Sequence, residues 1–421
     1  MKWRVVKLDE IKAPEKGALV SGPFGSNIGS RFFVATGVPV IRGNNLSMGQ
    51  KRFIDDGFVF ITEDKARELR NCNARSDDII FTAAGTLGQV GLMPKIGRFE
   101  SYIISNKQIR LRLDTNQAFP LFAYYFLSSP DMRAFIASQN KGSSVPLLTL
   151  GIVRNLKIPL PPITTQKRIV AILSAYDELI ENNQRRIALL EKMAEEIYRE
   201  WFVRMRFPGH EKVKKVKGVP EGWRSSCLGN VAKFTMGQSP SSEFYNEVGD
   251  GLPFHQGVGT YGERFPRIVT YCSEDGRRAQ KGDILFSVRA PVGRLNIAER
   301  EMIIGRGLAA VRHKKEHNSY MYYLLKTAFK DEDIIGNGSI FNSVGKDELA
   351  KFSIFEPEPN LVEKFDTLTA KMDEQIVMLM QATERLKSSR DLLLPRLIFG
   401  KLSVEHLDIQ FPPGMEESTC V

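Results

Sequence analysis

The stretch from Ile158 to Trp201 limits the fold more than any other part of the chain. Between the diproline Pro161-Pro162 and Pro208-Gly209 there is neither proline nor glycine, so nothing interrupts a helical pattern. About 39 residues at roughly 1.5 Å each make a rod on the order of 60 Å. Thr164 or Thr165 is expected to cap its first turn. Ile169, Leu173, Tyr176, Ile180, Asn183, Ile187, Leu190, Ala194, Ile197 and Trp201 alternate in steps of four and three, the spacing of a coiled-coil seam. Asn183 is the kind of polar residue that fixes the register of a helix pair at some cost in stability. Val170, Leu179, Leu189 and Phe202 lie beside the seam, so one partner helix leaves apolar surface uncovered. Taken alone, the stretch also fits an ordinary buried helix with an apolar stripe.

The chain also repeats itself. Trp3-Arg4 recurs as Trp223-Arg224, and Val38-Pro39 with Gly43 recurs as Leu252-Pro253 with Gly257. Asp78-Ile79-Ile80-Phe81-Thr82, followed by Leu87-Gly88, recurs as Asp283-Ile284-Leu285-Phe286-Ser287, followed by Val292-Gly293. Tyr124-Tyr125-Phe126-Leu127 returns as Tyr322-Tyr323-Leu324-Leu325. The offset falls smoothly from 220 to 198 residues, as small loop deletions in a duplicated domain would make it. At an offset of 196, Ile169, Tyr176, Asp177, Ile180 and Leu190 land on Phe365, Met372, Asp373, Ile376 and Leu386. The rod therefore has a second copy, expected to open on Asn360-x-x-Glu363 and to end near Pro395 and Gly400. Its seam is less regular, with Thr369, Thr383 and Arg390 at seam positions.

The expected order is a globular unit over 1–159, a long helix over 160–206, a second unit over 207–358, a second long helix over 359–400, and a tail over 401–421. Two long helices joined through a globular domain can return antiparallel to each other. Within the units, apolar runs between Gly and Asn turns predict strands at Val38 to Ile41, Ile79 to Thr82, Ile103 to Leu113, Ile284 to Val288 and Leu308 to Arg312. Aromatic helices are expected at Phe122 to Leu127 and Tyr320 to Leu325. The fold class is α+β: two duplicated domains with twisted β-sheets, separated by two long antiparallel coiled-coil helices.

With 59 Lys+Arg against 49 Asp+Glu, the net charge of +10 favours a polyanionic partner. The basic linker from Val203 to Trp223 carries Arg204, Arg206, Lys212, Lys214, Lys215 and Lys217. The N-terminus has no apolar signal region and no stretch approaches the ~18 apolar residues of a membrane span, so a cytoplasmic protein without membrane contact is expected. Cys72, Cys227, Cys272 and Cys420 form no CxxC pair and indicate neither a disulfide framework nor a zinc ribbon.

The sequence has no phosphate-binding GxxxxGK[ST] loop, since Gly400-Lys401 is followed by Leu402, and no G-x-S-x-G elbow. His313-Lys-Lys-Glu316-His317 formally matches an inverted zinc-protease motif. That chemistry requires both histidines on one helical face, whereas this segment lies between a predicted strand and a predicted helix and reads as a charged turn. No catalytic residue and no metal ligand is assigned.

What both units share is loops rich in side chains that grip nucleic acid. The candidate DNA contacts of the first unit are Ser26, Asn27, Arg42, Asn44, Asn45, Thr86, Asn106, Lys107, Gln108, Lys141, Ser143 and Ser144. Those of the second are Gln238, Ser239, His255, Gln256, Arg289, Arg294, Arg306, Asn337, Ser339 and Asn342. Arg, Asn and Gln form bidentate pairs with base edges, while Lys and Ser suit phosphates. Any single loop could be a plain turn; the paired distribution over two copies carries the signal.

Two segments carry a family resemblance: Ile158-Pro-Leu-Pro-Pro-Ile-Thr-Thr-Gln-Lys-Arg-Ile-Val-Ala-Ile-Leu173 and Leu392-Leu-Leu-Pro-Arg-Leu-Ile-Phe-Gly-Lys-Leu-Ser-Val404. They resemble the central and distal helix signatures of specificity subunits of Type I restriction-modification enzymes. Gly22-Pro-Phe-Gly-Ser26 and the Gly-Asp-Ile-Leu-Phe286 turn also resemble that family's target recognition domains. The resemblance covers almost the whole chain. It implies that each unit reads one half of a split target on double-stranded DNA, with the helices acting as a ruler between the halves. It further implies a non-catalytic chain that binds no cofactor itself. Two methyltransferase subunits would supply S-adenosylmethionine chemistry, and restriction/translocase subunits would join them. The docking residues it implies are Ile169, Val170, Leu173, Leu179, Ile180, Leu189, Phe202, Phe365, Leu368 and Met372. The second copy departs from the pattern in having Phe355-Glu-Pro-Glu-Pro359 in place of the proline-rich lead-in. A Type IIB-like two-component system with the same recognition architecture is one alternative. A basic coiled-coil scaffold without sequence preference is another.

Overall fold

The computed structural model describes residues 3–49, 51–138, 147–330, 334–335, 339–340, 343–412 and 415. The chain forms two compact units, Met1–Glu181 with Thr383–Val421, and Asn182–Ala382. Each unit therefore owns one half of each long helix.

The duplication reappears strand by strand. In unit 1, one antiparallel sheet has the order Leu19–Ser21, Gln108–Leu111, Ile79–Thr82, Val90–Leu92. Its counterpart in unit 2 runs Ala232–Met236, Leu308–His313, Ile284–Ser287, Leu295–Ile297. The other sheet of each unit holds one parallel pair, Val38–Ile41 with Tyr102–Ile104 in unit 1 and Leu252–His255 with Met302–Ile304 in unit 2. A short antiparallel clasp closes each unit, joining Arg4–Lys7 to Lys157–Leu160 and Arg224–Cys227 to Ser353–Glu356. The run from Ile103 to Leu113, expected as one strand, divides into Tyr102–Ile104 and Gln108–Leu111 in different sheets. The polar turn at Ser105 to Lys107 lets the chain cross between them.

The repeated Asp-Ile-Ile/Leu-Phe motif has a structural reason. Asp78 is buried and accepts hydrogen bonds from Arg112 Nε (2.8 Å), Arg112 Nη2 (2.7 Å) and the Arg75 amide (2.9 Å). Asp283, its copy, pairs with Arg312 and accepts from the Gln280 amide (2.7 Å). A buried carboxylate is tolerated only with partners of this kind.

Helix α1 (Ile163–Tyr198) continues into a π-helical turn at Arg199–Val203, and helix α2 spans Pro359–Ile398. The caps differ from expectation. Thr165 is buried within the first turn of α1, and the Gln166 amide bonds the Pro162 carbonyl (2.9 Å). The Gln166 side chain fastens the helix start, accepting from the Phe119 amide (2.7 Å) and donating to the Pro161 (2.8 Å) and Gln117 (3.0 Å) carbonyls. Helix α2 opens on Pro359, so Asn360 already lies inside the first turn. Pro395 sits within the last turns of α2 rather than ending it.

Within unit 1, Ile169, Val170 and Leu173 of α1 share a core with Leu394, Leu397 and Ile398 of α2 and the helix Pro120–Leu127. Within unit 2, Ala194, Tyr198 and Phe202 pack with Val362 and Phe365, and Ile187 packs with Ile376 and Leu379. As the numbering rises along α1 it falls along α2, so the two segments are antiparallel in each unit. The irregular seam residues are satisfied: the Thr369 hydroxyl donates to the Phe365 carbonyl (2.9 Å), and Arg390 pairs with Asp177 (2.7 Å). The His313 to His317 segment forms a turn, with Glu316 at φ 64° and the Lys315 amide donating to His313 Nδ1 (3.2 Å). Among the described residues no helix is long and apolar enough to cross a membrane.

Candidate nucleic-acid interface

In unit 1 the candidate loops are drawn together by the ends of the strands that carry them. The Gly22 amide bonds the Gln108 carbonyl (2.8 Å), the Ser105 amide bonds the Ile41 carbonyl (2.9 Å), and the Ala83 amide bonds the Lys107 carbonyl (2.7 Å). Four loops, near residues 22–27, 42–45, 83–89 and 105–108, thus share one edge. The approach is close: a β-carbon at Gly22 would lie 1.8 Å from the Ser105 carbonyl oxygen, so only glycine fits. Ser26, Asn27, Arg42, Asn44, Thr86, Asn106 and Lys107 are exposed on this edge. They combine amide, hydroxyl and cationic donors suited to base edges and phosphates.

Unit 2 repeats the arrangement with different side chains. The Gly237 amide bonds the Leu308 carbonyl (2.9 Å), Gly305 bonds His255 (2.9 Å), and Val288 bonds Gly307 (3.0 Å). Gly237 copies the close approach of Gly22, since a β-carbon there would meet the Gly305 carbonyl oxygen at 2.2 Å. The Ser239 hydroxyl donates to Gln256 Oε1 (2.8 Å) and accepts from the Arg306 amide (3.2 Å), linking three loops. Gln238, Gln256, Arg289, Arg294 and Arg306 are exposed, and Ser239 is half-buried.

Three expected DNA contacts are instead interior. Asn45 is fully buried: its Oδ1 accepts from the Arg42 amide (2.9 Å), and its Nδ2 donates to the Ile54 (3.0 Å) and Asp56 (2.8 Å) carbonyls. It shapes the loop that displays Arg42 and Asn44. Gln108 is buried beside Ser105, whose hydroxyl donates to its Oε1, and its Nε2 has no hydrogen-bond partner among the described residues. His255 is buried with Nδ1 2.9 Å from Thr260 Oγ1 and Nε2 unpartnered among the described residues. Burial pushes its pKa down to about 4. Lys141, Ser143, Ser144, Asn337 and Asn342 lie outside the described residues, as does the side chain of Ser339.

Sequence reasoning missed Gln89. Its Oε1 accepts from the Thr82 hydroxyl (2.8 Å), and its Nε2 donates to the Gly43 (3.2 Å) and Leu46 (3.0 Å) carbonyls, binding the 42–46 loop to the sheet edge. The signal was one residue past the repeated Leu87-Gly88 motif.

The residues expected to dock partners divide in the same way. Ile169, Val170, Leu173, Ile180, Phe202 and Phe365 are buried, and Met372 packs partly buried against the unit 2 core. Ile169, Val170 and Leu173 in unit 1, and Phe202, Phe365 and Met372 in unit 2, are covered by the adjoining sheet domain as well as by the second helix. Leu179, Leu189 and Leu368 are exposed, joined by Leu392 in unit 1 and by Met193 and Met378 in unit 2.

Comparison with known proteins gives a consistent family. Residues 2–192 and 220–388 match the Type I restriction modification DNA specificity domain. The chain is 28% identical to a putative type I restriction enzyme MjaX specificity subunit of Methanocaldococcus jannaschii, over 96% of this chain and 94% of that protein. It is 26% identical to the MjaIX specificity subunit of the same organism, over 88% of each. The crystal structure of a Type-I restriction-modification system S subunit from M. genitalium superposes with a TM-score of 0.59 at 17% identity, covering 94% of this chain and 96% of that one, and shares the fold.

Proposed function

Because the chain belongs to the Type I restriction-modification DNA specificity family, we propose that it reads a bipartite, asymmetric target on double-stranded DNA, one half-site per unit. The observation that carries this reading is the duplicated loop edge. The same strands converge in both units and present different exposed side chains: Ser26, Asn27, Arg42, Asn44, Asn106 and Lys107 in one, Gln238, Gln256, Arg289, Arg294 and Arg306 in the other. Equal scaffolds with unequal contact residues suit two unlike half-sites. The lengths of α1 and α2, 36 and 40 residues, would set the spacer between the half-sites.

In this role the chain is non-catalytic. Two methyltransferase subunits holding S-adenosylmethionine would dock on the exposed apolar positions of the helices, Leu179 and Leu392 in unit 1 and Leu189, Met193, Leu368 and Met378 in unit 2. Restriction/translocase subunits would complete a cytoplasmic assembly. The test is a domain exchange: residues 207–358 are replaced by the matching unit of a relative with a different target, and methylated sites are mapped. One half-site is expected to change while the other and the spacer persist. A change in both halves, or in neither, contradicts the assignment.

A further inference from the structure

Behind each reading edge lies a second duplicated device. In both units the segment that leaves the loop at 42–45, or at 255–257, crosses the sheet edge and sends one arginine to a long helix. In unit 1 the Arg52 carbonyl accepts from the Leu92 amide (2.8 Å) of the edge strand Val90–Leu92. Its Nη2 donates to Asp177 Oδ2 of α1 (3.2 Å) and to the Tyr125 hydroxyl (3.1 Å), which in turn donates to Asp177 Oδ2 (2.5 Å). In unit 2 the Arg264 carbonyl accepts from the Ile297 amide (2.9 Å) of the edge strand Leu295–Ile297. Its guanidinium pairs with Asp373 of α2 and with Glu191 of α1 (3.4 Å), and Tyr323 reaches the same Asp373 carboxylate (3.5 Å).

The two constellations are copies. Tyr125 and Tyr323, and Asp177 and Asp373, are already matched by the repeat, and Leu92 and Ile297 share the 205-residue offset of the Asp78 and Asp283 motif. Arg52 and Arg264 stand 212 residues apart, between the offset of 214 before them and 205 after them. Both guanidiniums also lie over a tyrosine ring, Arg52 over Tyr125 (5.8 Å) and Arg264 over Tyr322 (5.1 Å). Burial works against the Arg52 charge, yet Tyr125 and Asp177 together hold it above its ordinary value. Arg264 is only 2% exposed.

We infer that Arg52 and Arg264 are positioning residues: with Tyr125 and Asp177, and with Tyr323 and Asp373, they gear each unit's reading loop to the helix segments of that unit. The inference rests on the specificity reading above and adds what makes the spacer strict. The bonds from Gln89 and the Leu92 amide in unit 1, and from Asn296 and the Ile297 amide in unit 2, hold the loop segment to the sheet edge. The forked guanidinium instead ties the segment to a long-helix carboxylate, a directional attachment that fixes the loop against the helix. Without the fork, the loop can follow half-sites displaced along the DNA, and discrimination between spacers weakens while the base contacts remain.

The test uses the full chain assembled with its methyltransferase partner and DNA carrying both half-sites with spacers varied by one or two base pairs. Arg52→Gln and Arg264→Gln are each expected to raise methylation at spacers one base pair off, relative to the native spacer, by about tenfold. The base preferences at both half-sites are expected to persist. Arg52→Lys and Arg264→Lys keep the charge without the fork and are expected to recover part of the discrimination. Tyr125→Phe and Tyr323→Phe remove a hydrogen bond without uncovering a buried charge, so they decide the matter if the arginine variants do not fold; a shift in the same direction is expected. An unchanged spacer ratio, or methylation falling equally at all spacers, would overturn the gearing role. Absence of a fixed spacer with the unsubstituted chain would instead overturn the specificity reading, and the gearing role with it.

Discussion

Asn44 and Asn45 are sequence neighbours with opposite roles, and separating them tests whether the 42–45 loop is displayed as described. Asn45 makes three side-chain hydrogen bonds at 2.8 to 3.0 Å while fully buried. Removing a buried hydrogen-bonding group costs about 1 kcal/mol per bond, more where a partner is left unsatisfied, so Asn45→Ala is expected to lose about 3 kcal/mol locally. That corresponds to roughly a hundredfold fall in amide exchange protection across residues 42–58, measurable by hydrogen exchange with mass spectrometry. Asn44 is exposed and, among the described residues, donates to the Gly57 carbonyl (3.0 Å). Asn44→Ala is expected to leave protection within about 0.5 kcal/mol of the unsubstituted chain. Its effect appears instead as a loss of about 1 to 3 kcal/mol in discrimination at one base pair of one half-site. Equal protection in both variants, or a base-specific defect in Asn45→Ala without loss of protection, would refute the assignment.

The pH dependence of unit 2 follows from His255 and His313, both held by burial at about pKa 4 against an ordinary 6.5. Between those values the unfolded chain binds protons that the folded unit does not, so stability is complete above pH 6.5 and declines as pH falls toward 4. At pH 5 the loss is about 2 kcal/mol per histidine, and urea unfolding of His255→Gln should show about half the pH dependence. Lys107→Ala should lower the slope of log K against log salt by about 0.9 in DNA titrations while leaving base preference intact, as loss of one phosphate contact requires. Gln89→Ala should loosen the 42–46 loop, seen as faster amide exchange there with the rest of unit 1 unchanged. Deleting equal numbers of residues from α1 and α2 should shorten the spacer in mapped methylation sites and keep both half-sites; an unchanged spacer contradicts the ruler.

The repeat, the two long helices and most strands could be read from the chain because each rests on local periodicity or on a duplicated motif. The repeated Asp78 and Asp283 motif marked strands correctly although its reason, a buried pairing with Arg112 or Arg312, is not local. The helix caps were misplaced because α1 opens directly after Pro162, which leaves Thr164 and Thr165 inside its first turn, and because Pro359 takes the first helical position of α2, which leaves Asn360 inside. Loop positions were identified, but which side chains beside them are buried was not: Asn45 is the same residue type as its exposed neighbour Asn44, and Gln108 and His255 are polar like the exposed Lys107 and Gln256, and all three are buried by what the tertiary fold brings over them. The same limit explains Ile169, Val170 and Leu173. An apolar stripe predicts that something covers it, not whether that cover is a partner subunit or the chain's own sheet domain. Arg52 and Arg264 escaped notice because a lone arginine carries no pattern until its distant aspartate and tyrosine are in place.

The central claim is that two duplicated units read two half-sites at a fixed distance. It is tested most directly by co-expressing the chain with its methyltransferase partner and mapping methylated adenines across a genome by long-read sequencing. The account predicts one bipartite, asymmetric motif with a single spacer length, absent when the chain is omitted. Methylation at a continuous motif, at variable spacing, or without this chain would contradict it.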